Sequence, residues 1–160
     1  MLRRVLAVLV LITATAGMAH AAKPGESNLA LCKRLYAGVN KHDNAIFDEL
    51  MASTFVEHEE LPGYPSTSAG VKDFFAAMYS GFPDLMFDVE FYMVDGDKVA
   101  AYLTINGTNT GEFLGKPATG NKIHVKGVDI LQFKDGRIVA HWGVTDGAAM
   151  MQQLSASKSR

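Results

Sequence analysis

Hydrophobic residues recur along this chain with two periods, and the change between them divides it. Leu31, Leu35 and Val39 repeat every fourth position, with Cys32 and Tyr36 beside them. That is one apolar stripe along a helix, which Ser27 or Asn28 can cap. After a break at His42-Asp43, residues 44–51 are predicted as a shorter helix with Ile46, Phe47, Leu50 and Met51 inward. Residues 54–59 are β-rich and read as a strand, ended by the two prolines and one glycine of residues 61–65. A third helix is predicted over 69–80, with caps available in Ser66-Thr67-Ser68 and a stop at Pro83. Val71, Phe74, Phe75, Met78, Tyr79 and Phe82 give it the clearest helical period in the chain.

From Leu85 onward the period falls to two. Residues 85–94 and 98–105 flank Asp95-Gly96-Asp97, and residues 123–133 and 137–145 flank Asp135-Gly136. Asp-Gly between β-rich runs signals a hairpin in both places. Residues 107–122, with four glycines and a proline, form an irregular connection, and a closing helix ends near Leu154. Helices first and strands afterwards indicate an α+β domain over residues 29–154. Its expected form is a curved, four-stranded antiparallel sheet that wraps the helices and leaves a cavity at its open end.

The two termini fall outside that domain. Met1-Leu2-Arg3-Arg4 is positive, residues 5–12 are apolar, and Ala19-His20-Ala21 fits an A-x-A cleavage site. Residues 1–21 therefore read as a secretory signal, which places the mature protein in the periplasm or outside the cell. The apolar run falls short of the roughly 20 residues that span a bilayer, so no stable membrane insertion is expected after cleavage. Residues 22–28 are a linker and 155–160 a polar tail. Without the leader the net charge moves from −2 to −4, thirteen basic against seventeen acidic residues, which gives no footing for nucleic acid. A hydrophobic share of 48% supplies an ordinary core. Cys32, the one cysteine, excludes an internal disulfide and reads as a buried thiol.

Candidate chemistry gathers near the last strand. Asp146 follows Trp142 and Val144, its same-face neighbours at the strand period, and a carboxylate beside an apolar wall suits a general base. Asp146 at that position equally suits the cap of the closing helix, on the amides of Ala148 or Ala149. His58 either donates a hydrogen bond to a substrate carbonyl or sits at the surface among Glu57, Glu59 and Glu60. Asp129, inside an apolar strand, faces a cavity or marks a bulge or rim. His124 and His141 read as structural or exposed, with His141 turned away from Trp142 and Asp146. Phe75, Phe113, Tyr102 and Trp142 are the candidate lining for a flat apolar ligand, the last two carrying a polar handle. No two of the histidines at 42, 58, 124 and 141 stand four apart on a helix, so no metal is expected. No glycine-rich phosphate loop opens a helix after a strand.

Several stretches resemble one family. Phe55-Val56-Glu57-His58-Glu59, then residues 69–75, then Phe82-Pro83-Asp84-Leu85 are similar to the SnoaL-like polyketide cyclases, typified by the nogalonic acid methyl ester cyclase. The likeness continues through residues 107–115, through Pro117-Ala118-Thr119-Gly120, and through residues 135–142. It implies the cone-shaped NTF2-like (cystatin-like) fold, homo-oligomers such as dimers or tetramers, and an aspartate acting as acid and base in an intramolecular aldol closure. Asp146 is the position that best matches that aspartate, and the resemblance raises the standing of His58. Three positions depart from the family: Asn109 where histidine is frequent, Gln132 where arginine is common, and residues 99–105, which lack an arginine.

The resulting expectation is an exported, cofactor-free acid/base enzyme acting on a small apolar or aromatic carbonyl compound. A ring closure is the first reading, and isomerisation or epoxide opening are relatives of it. The alternative is a non-catalytic periplasmic protein that holds a small molecule in the same cone. Export and the missing cations favour that alternative.

Overall fold

The computed structural model describes residues 25–157; the expected leader, its cleavage site and the last three residues lie outside the described residues. Helix α1 (Asn28–Val39) starts at Ser27, whose hydroxyl accepts from the Ala30 amide at 3.2 Å. Helix α2 (Ala45–Leu50) runs directly into strand β1 (Met51–Glu57), so Met51 belongs to the strand rather than the helix. Helix α3 (Ser68–Gly81) is capped by Thr67, whose hydroxyl accepts from the Gly70 amide. Strands β2 (Met86–Asp95), β3 (Lys98–Thr108), β4 (Lys122–Lys134) and β5 (Arg137–Thr145) follow, and helix α4 (Gly147–Ser155) closes the chain.

The sheet has five strands in the order β1-β5-β4-β3-β2. The four later strands are antiparallel as expected. The fifth is a correction: β1 joins the edge of the sheet beside β5 and runs parallel to it. A sequence pattern marks β1 as a strand but carries no information about which neighbour it finds. Helix α1 packs on β2 and β3, and α3 packs on β1 and α2, so three helices fill the concave side of the sheet. Leu31, Phe47, Leu50, Phe82, Leu103 and Ile138 are among the side chains wholly enclosed there. The product is the NTF2-like α+β cone.

Two local features position the interior. The 109–121 connection is tied down by Asn109, which is 2% exposed. Its Oδ1 accepts from the Thr119 amide (2.8 Å) and hydroxyl, and its Nδ2 donates to the carbonyls of Gly81 and Gly111. The second feature is a bulge between β4 and β5. Phe133 pairs with Ile138, but Gln132 pairs with Ala140, so Val139 is an extra residue on β5. A bulge shifts the phase of side-chain alternation for everything beyond it. Ile138 points inward and is fully buried, yet His141, Gly143 and Thr145 follow it inward, while Trp142 and Val144 face out.

Candidate active site

The concave side encloses a cavity of about 400 Å³, lined mainly by Leu, Phe, Val and Met side chains from α1, α3, the sheet and α4. A short run of polar groups crosses one wall. His141 on β5 lies between two carboxylates: its Nδ1 is 2.8 Å from both oxygens of Glu57 on β1, and its Nε2 is 3.5 Å from Asp129 Oδ1 on β4. Tyr36 on α1 donates its hydroxyl to Asp129 Oδ2 at 2.7 Å. Glu57 also accepts from the Glu59 amide at 2.9 Å. Tyr36, Asp129, His141 and Glu57 thus form one continuous chain from helix to sheet edge, and all four line the cavity.

The strand pairing explains the convergence. Glu57 stands beside His141 in the parallel β1–β5 register, and Asp129 stands opposite Gly143. Gly143 has no side chain to fill the space next to Asp129. A Cβ there would lie 2.8 Å from His141 Cε1 and would collide with the carboxylate of Glu59. The missing side chain therefore lets Glu59 approach the imidazole from the cavity side.

Electrostatics follow from this packing. Burial opposes a charge on His141, but the hydrogen bonds and charges of Asp129 and Glu57 outweigh it and push its pKa up to about 10. The ring is an imidazolium through the neutral range, with both N–H groups directed at carboxylates. Burial raises the pKa of Glu59; the His141 charge opposes that rise, and the carboxylates of Asp129 and Glu57 add to it. Tyr36, 5% exposed and bonded to an anion, is pushed well above its ordinary value, first by burial and then by Asp129. Among the described residues no group of three or more His, Cys, Asp or Glu is placed to hold a metal ion.

The sequence matches the SnoaL-like polyketide cyclase family over residues 30–154. The chain belongs to that family. No curated protein matches it in sequence. Among solved structures, TsrD from Streptomyces laurentii is 26% identical, with a TM-score of 0.71 over 82% of this chain and 100% of its own. A candidate SnoaL-like polyketide cyclase from Jannaschia sp. CCS1 is 27% identical, with a TM-score of 0.72 over 81% of this chain and 92% of its own. IdmH from Streptomyces antibioticus, a candidate polyketide cyclase, is 29% identical, with a TM-score of 0.67 over 79% of this chain and 96% of its own.

Within this SnoaL-like cone the residues expected from sequence separate into two groups. Asp129, Phe75 and Phe113 line the cavity. Asp146, His58, Trp142 and Tyr102 do not. Asp146 is an exposed cap of α4, its Oδ1 accepting from the Ala149 amide at 2.9 Å, which is the alternative role considered for it. His58 is exposed on the opposite face of the sheet, its ring parallel to that of Trp142 at 4.6 Å between centroids. Tyr102 is on that outer face too, stacked on Phe91. The correction for Trp142 and His141 is one correction: the Val139 bulge exchanges their faces. Glu57, Glu59 and Tyr36 were not expected from sequence. A buried acid at the end of an edge strand resembles the exposed acids beside it until the fold supplies its histidine.

Proposed function

We propose that this SnoaL-like protein is an acid/base enzyme that moves a proton α to a carbonyl within the cavity and so closes a ring by an intramolecular aldol step. In this reading the Asp129 carboxylate takes the α-proton, leaving an enolate. The enolate carbon attacks a second carbonyl carbon of the same molecule, one C–C bond forms, and that carbonyl becomes an alkoxide. Asp129 then returns its proton to the alkoxide oxygen. The step is redox-neutral and Asp129 ends as it began, so no cofactor is required. His141 and Tyr36 are positioning residues, holding the carboxylate at a fixed angle through one N–H and one O–H, and Glu57 holds His141.

The observation that carries this reading is the Tyr36–Asp129–His141–Glu57 chain inside an otherwise apolar cavity. Simple retention of an apolar ligand needs no buried ion network, and burying one is unfavourable without a use for it. The cavity volume falls in the range of small-molecule sites, roughly 300–1,000 Å³, and suits a two- or three-ring compound. The family and the relatives described as candidate cyclases support the ring closure. Export remains part of the proposal, on the strength of the leader-like residues 1–21.

The test is hydrogen–deuterium exchange at the α-carbon of bicyclic aryl ketones, followed by NMR with the protein in D₂O. The protein is expected to accelerate exchange, Asp129→Asn to lose about 10²–10⁴-fold of that rate, and Asp146→Asn to keep it. Retained exchange in Asp129→Asn would remove the reading. Exchange lost in Asp146→Asn would return the chemistry to the helix cap.

A further inference from the structure

The charges in the cavity do not balance. Glu57, Glu59 and Asp129 line it, and among the described residues His141 is the one basic side chain that does, with no lysine or arginine in its wall. Glu57 and Asp129 are both engaged by the same imidazolium, and Asp129 also takes the Tyr36 hydroxyl. Glu59 is left over. Its carboxylate lines the cavity and reaches past the bare Cα of Gly143 to the edge of the imidazole, and no Lys, Arg or His forms an ion pair with it among the described residues. Glu60, exposed at the rim, adds to the same sign of charge.

A spare carboxylate in an enclosed apolar space selects by charge. An anionic ligand would meet three carboxylates against one cation and would lose its hydration, so it is disfavoured twice. A cation would meet a carboxylate that takes a hydrogen bond from Thr145 but has no Lys, Arg or His ion-paired to it among the described residues. It would also meet the faces of aromatic rings, since Tyr36, Phe47, Phe74, Phe75, Phe87 and Phe113 supply much of the remaining wall and such faces attract an ammonium group. The space that Gly143 leaves is what admits Glu59 there: a side chain at that position would displace its carboxylate from beside the imidazole.

We infer that the cavity takes an apolar amine as its ammonium ion, with Glu59 as the counter-ion, and that it discriminates against carboxylates. The inference deepens the proposed function, because it concerns the same cavity: the carbonyl compound that turns over there carries a basic nitrogen at the end that meets Glu59. Asp129 keeps the proton-transfer role, and Glu59 orients.

Three ligands of one shape test it: 1-naphthylmethylamine, 1-naphthalenemethanol and 1-naphthoic acid, each titrated calorimetrically into the protein at pH 6 and pH 7. The amine is expected to bind at least about tenfold tighter than the alcohol, a gap of about 1.4 kcal/mol, and the acid weakest. Glu59→Gln, nearly the same shape, is expected to remove the advantage of the amine and leave the alcohol unchanged. Because burial raises the pKa of Glu59, amine binding is expected to release more protons as the pH is lowered from 7 toward 5, read by repeating the titration in buffers of different ionisation enthalpy. That readout needs no variant and stands if Glu59→Gln does not fold. Equal binding of amine and alcohol, or an acid that binds as well as the amine, overturns the inference and leaves the proton-transfer reading intact. Binding by none of the three also overturns the inference, while the proton-transfer reading still stands or falls on the exchange measurement.

Discussion

His141 is the residue whose charge most shapes this protein. Its side chain is 14% exposed, and burial alone would favour the neutral ring, yet Asp129 and Glu57 together carry its pKa to about 10. The folded-state pKa lies above the unfolded value near 6.5, so the stabilisation is complete below about pH 6.5 and is lost as pH rises toward 10. Urea denaturation is therefore expected to give a falling midpoint between pH 7 and pH 10, and His141→Gln to flatten that slope. Glu59 pushes the same way: its raised pKa means that the folded form holds its proton longer, so ionising it above pH 4.5 also disfavours the fold. Asp146 is the contrasting case. Removing its cap in Asp146→Ala is expected to cost about 1 kcal/mol in thermal or urea unfolding, and Asp146→Asn much less, since asparagine caps nearly as well.

Among the elements, the bulge in β5 and the 109–121 connection decide where side chains go. Asp135-Gly136 pairs Lys134 with Arg137, and regular counting from that turn would set Asp129 opposite Trp142. Val139 inserts one residue, so Asp129 faces Gly143 and His141 turns inward. Deleting Val139 is expected to restore regular alternation, drive Trp142 into the cavity and expose His141. The readout is a large blue shift of the fluorescence of the one tryptophan in the chain, together with lost stability. The work of Asn109 is structural: four contacts, two accepted and two donated, hold the connection to the end of α3. Asn109→Ala would leave those buried partners unsatisfied, an expected loss of about 2–3 kcal/mol by urea titration. Gln132 points outward and donates to Asp97 at 2.6 Å, away from the cavity.

For the whole molecule, the outer face of the sheet is the feature still without a partner. Val144, Val128, Tyr102 and Phe91 form one row across four strands, and Trp142, Ile130, Ala100 and Met93 form the next. Val144 is 75% exposed and Met93 61%, unusual values for apolar side chains in mid-strand. At ~4.8 Å between strands and ~3.3 Å per residue, these two rows cover on the order of 250 Å² of the sheet, the size of an apolar centre within the roughly 800 Å² per partner of a standard interface. Homodimerisation through this face is the expected outcome. Light scattering on a sizing column would give twice the monomer mass, and Val144→Lys with Met93→Lys would give a monomer that retains the cavity chemistry. A monomer at micromolar concentration without those changes would remove the expectation.

Much of this was legible in the sequence because it depends on local periodicity. The α3 stripe, the two Asp-Gly hairpins and the Ser27 and Thr67 caps are set by residues within a few positions of one another. The resemblance to the cyclases located the cone, and Asp129, Phe75 and Phe113 stood out as candidates. The centre of the site was not legible. Glu57 meets His141 across 84 residues and Tyr36 meets Asp129 across 93, and no period in the chain records such a pairing. The face on which His141 sits turned on one extra residue in β5, because a strand alternates every residue and a single insertion inverts it. Sequence alone thus determined the elements and their order. Tertiary structure decided which polar groups meet inside the cavity, since their approach is fixed by strand register and by the room that Gly143 leaves.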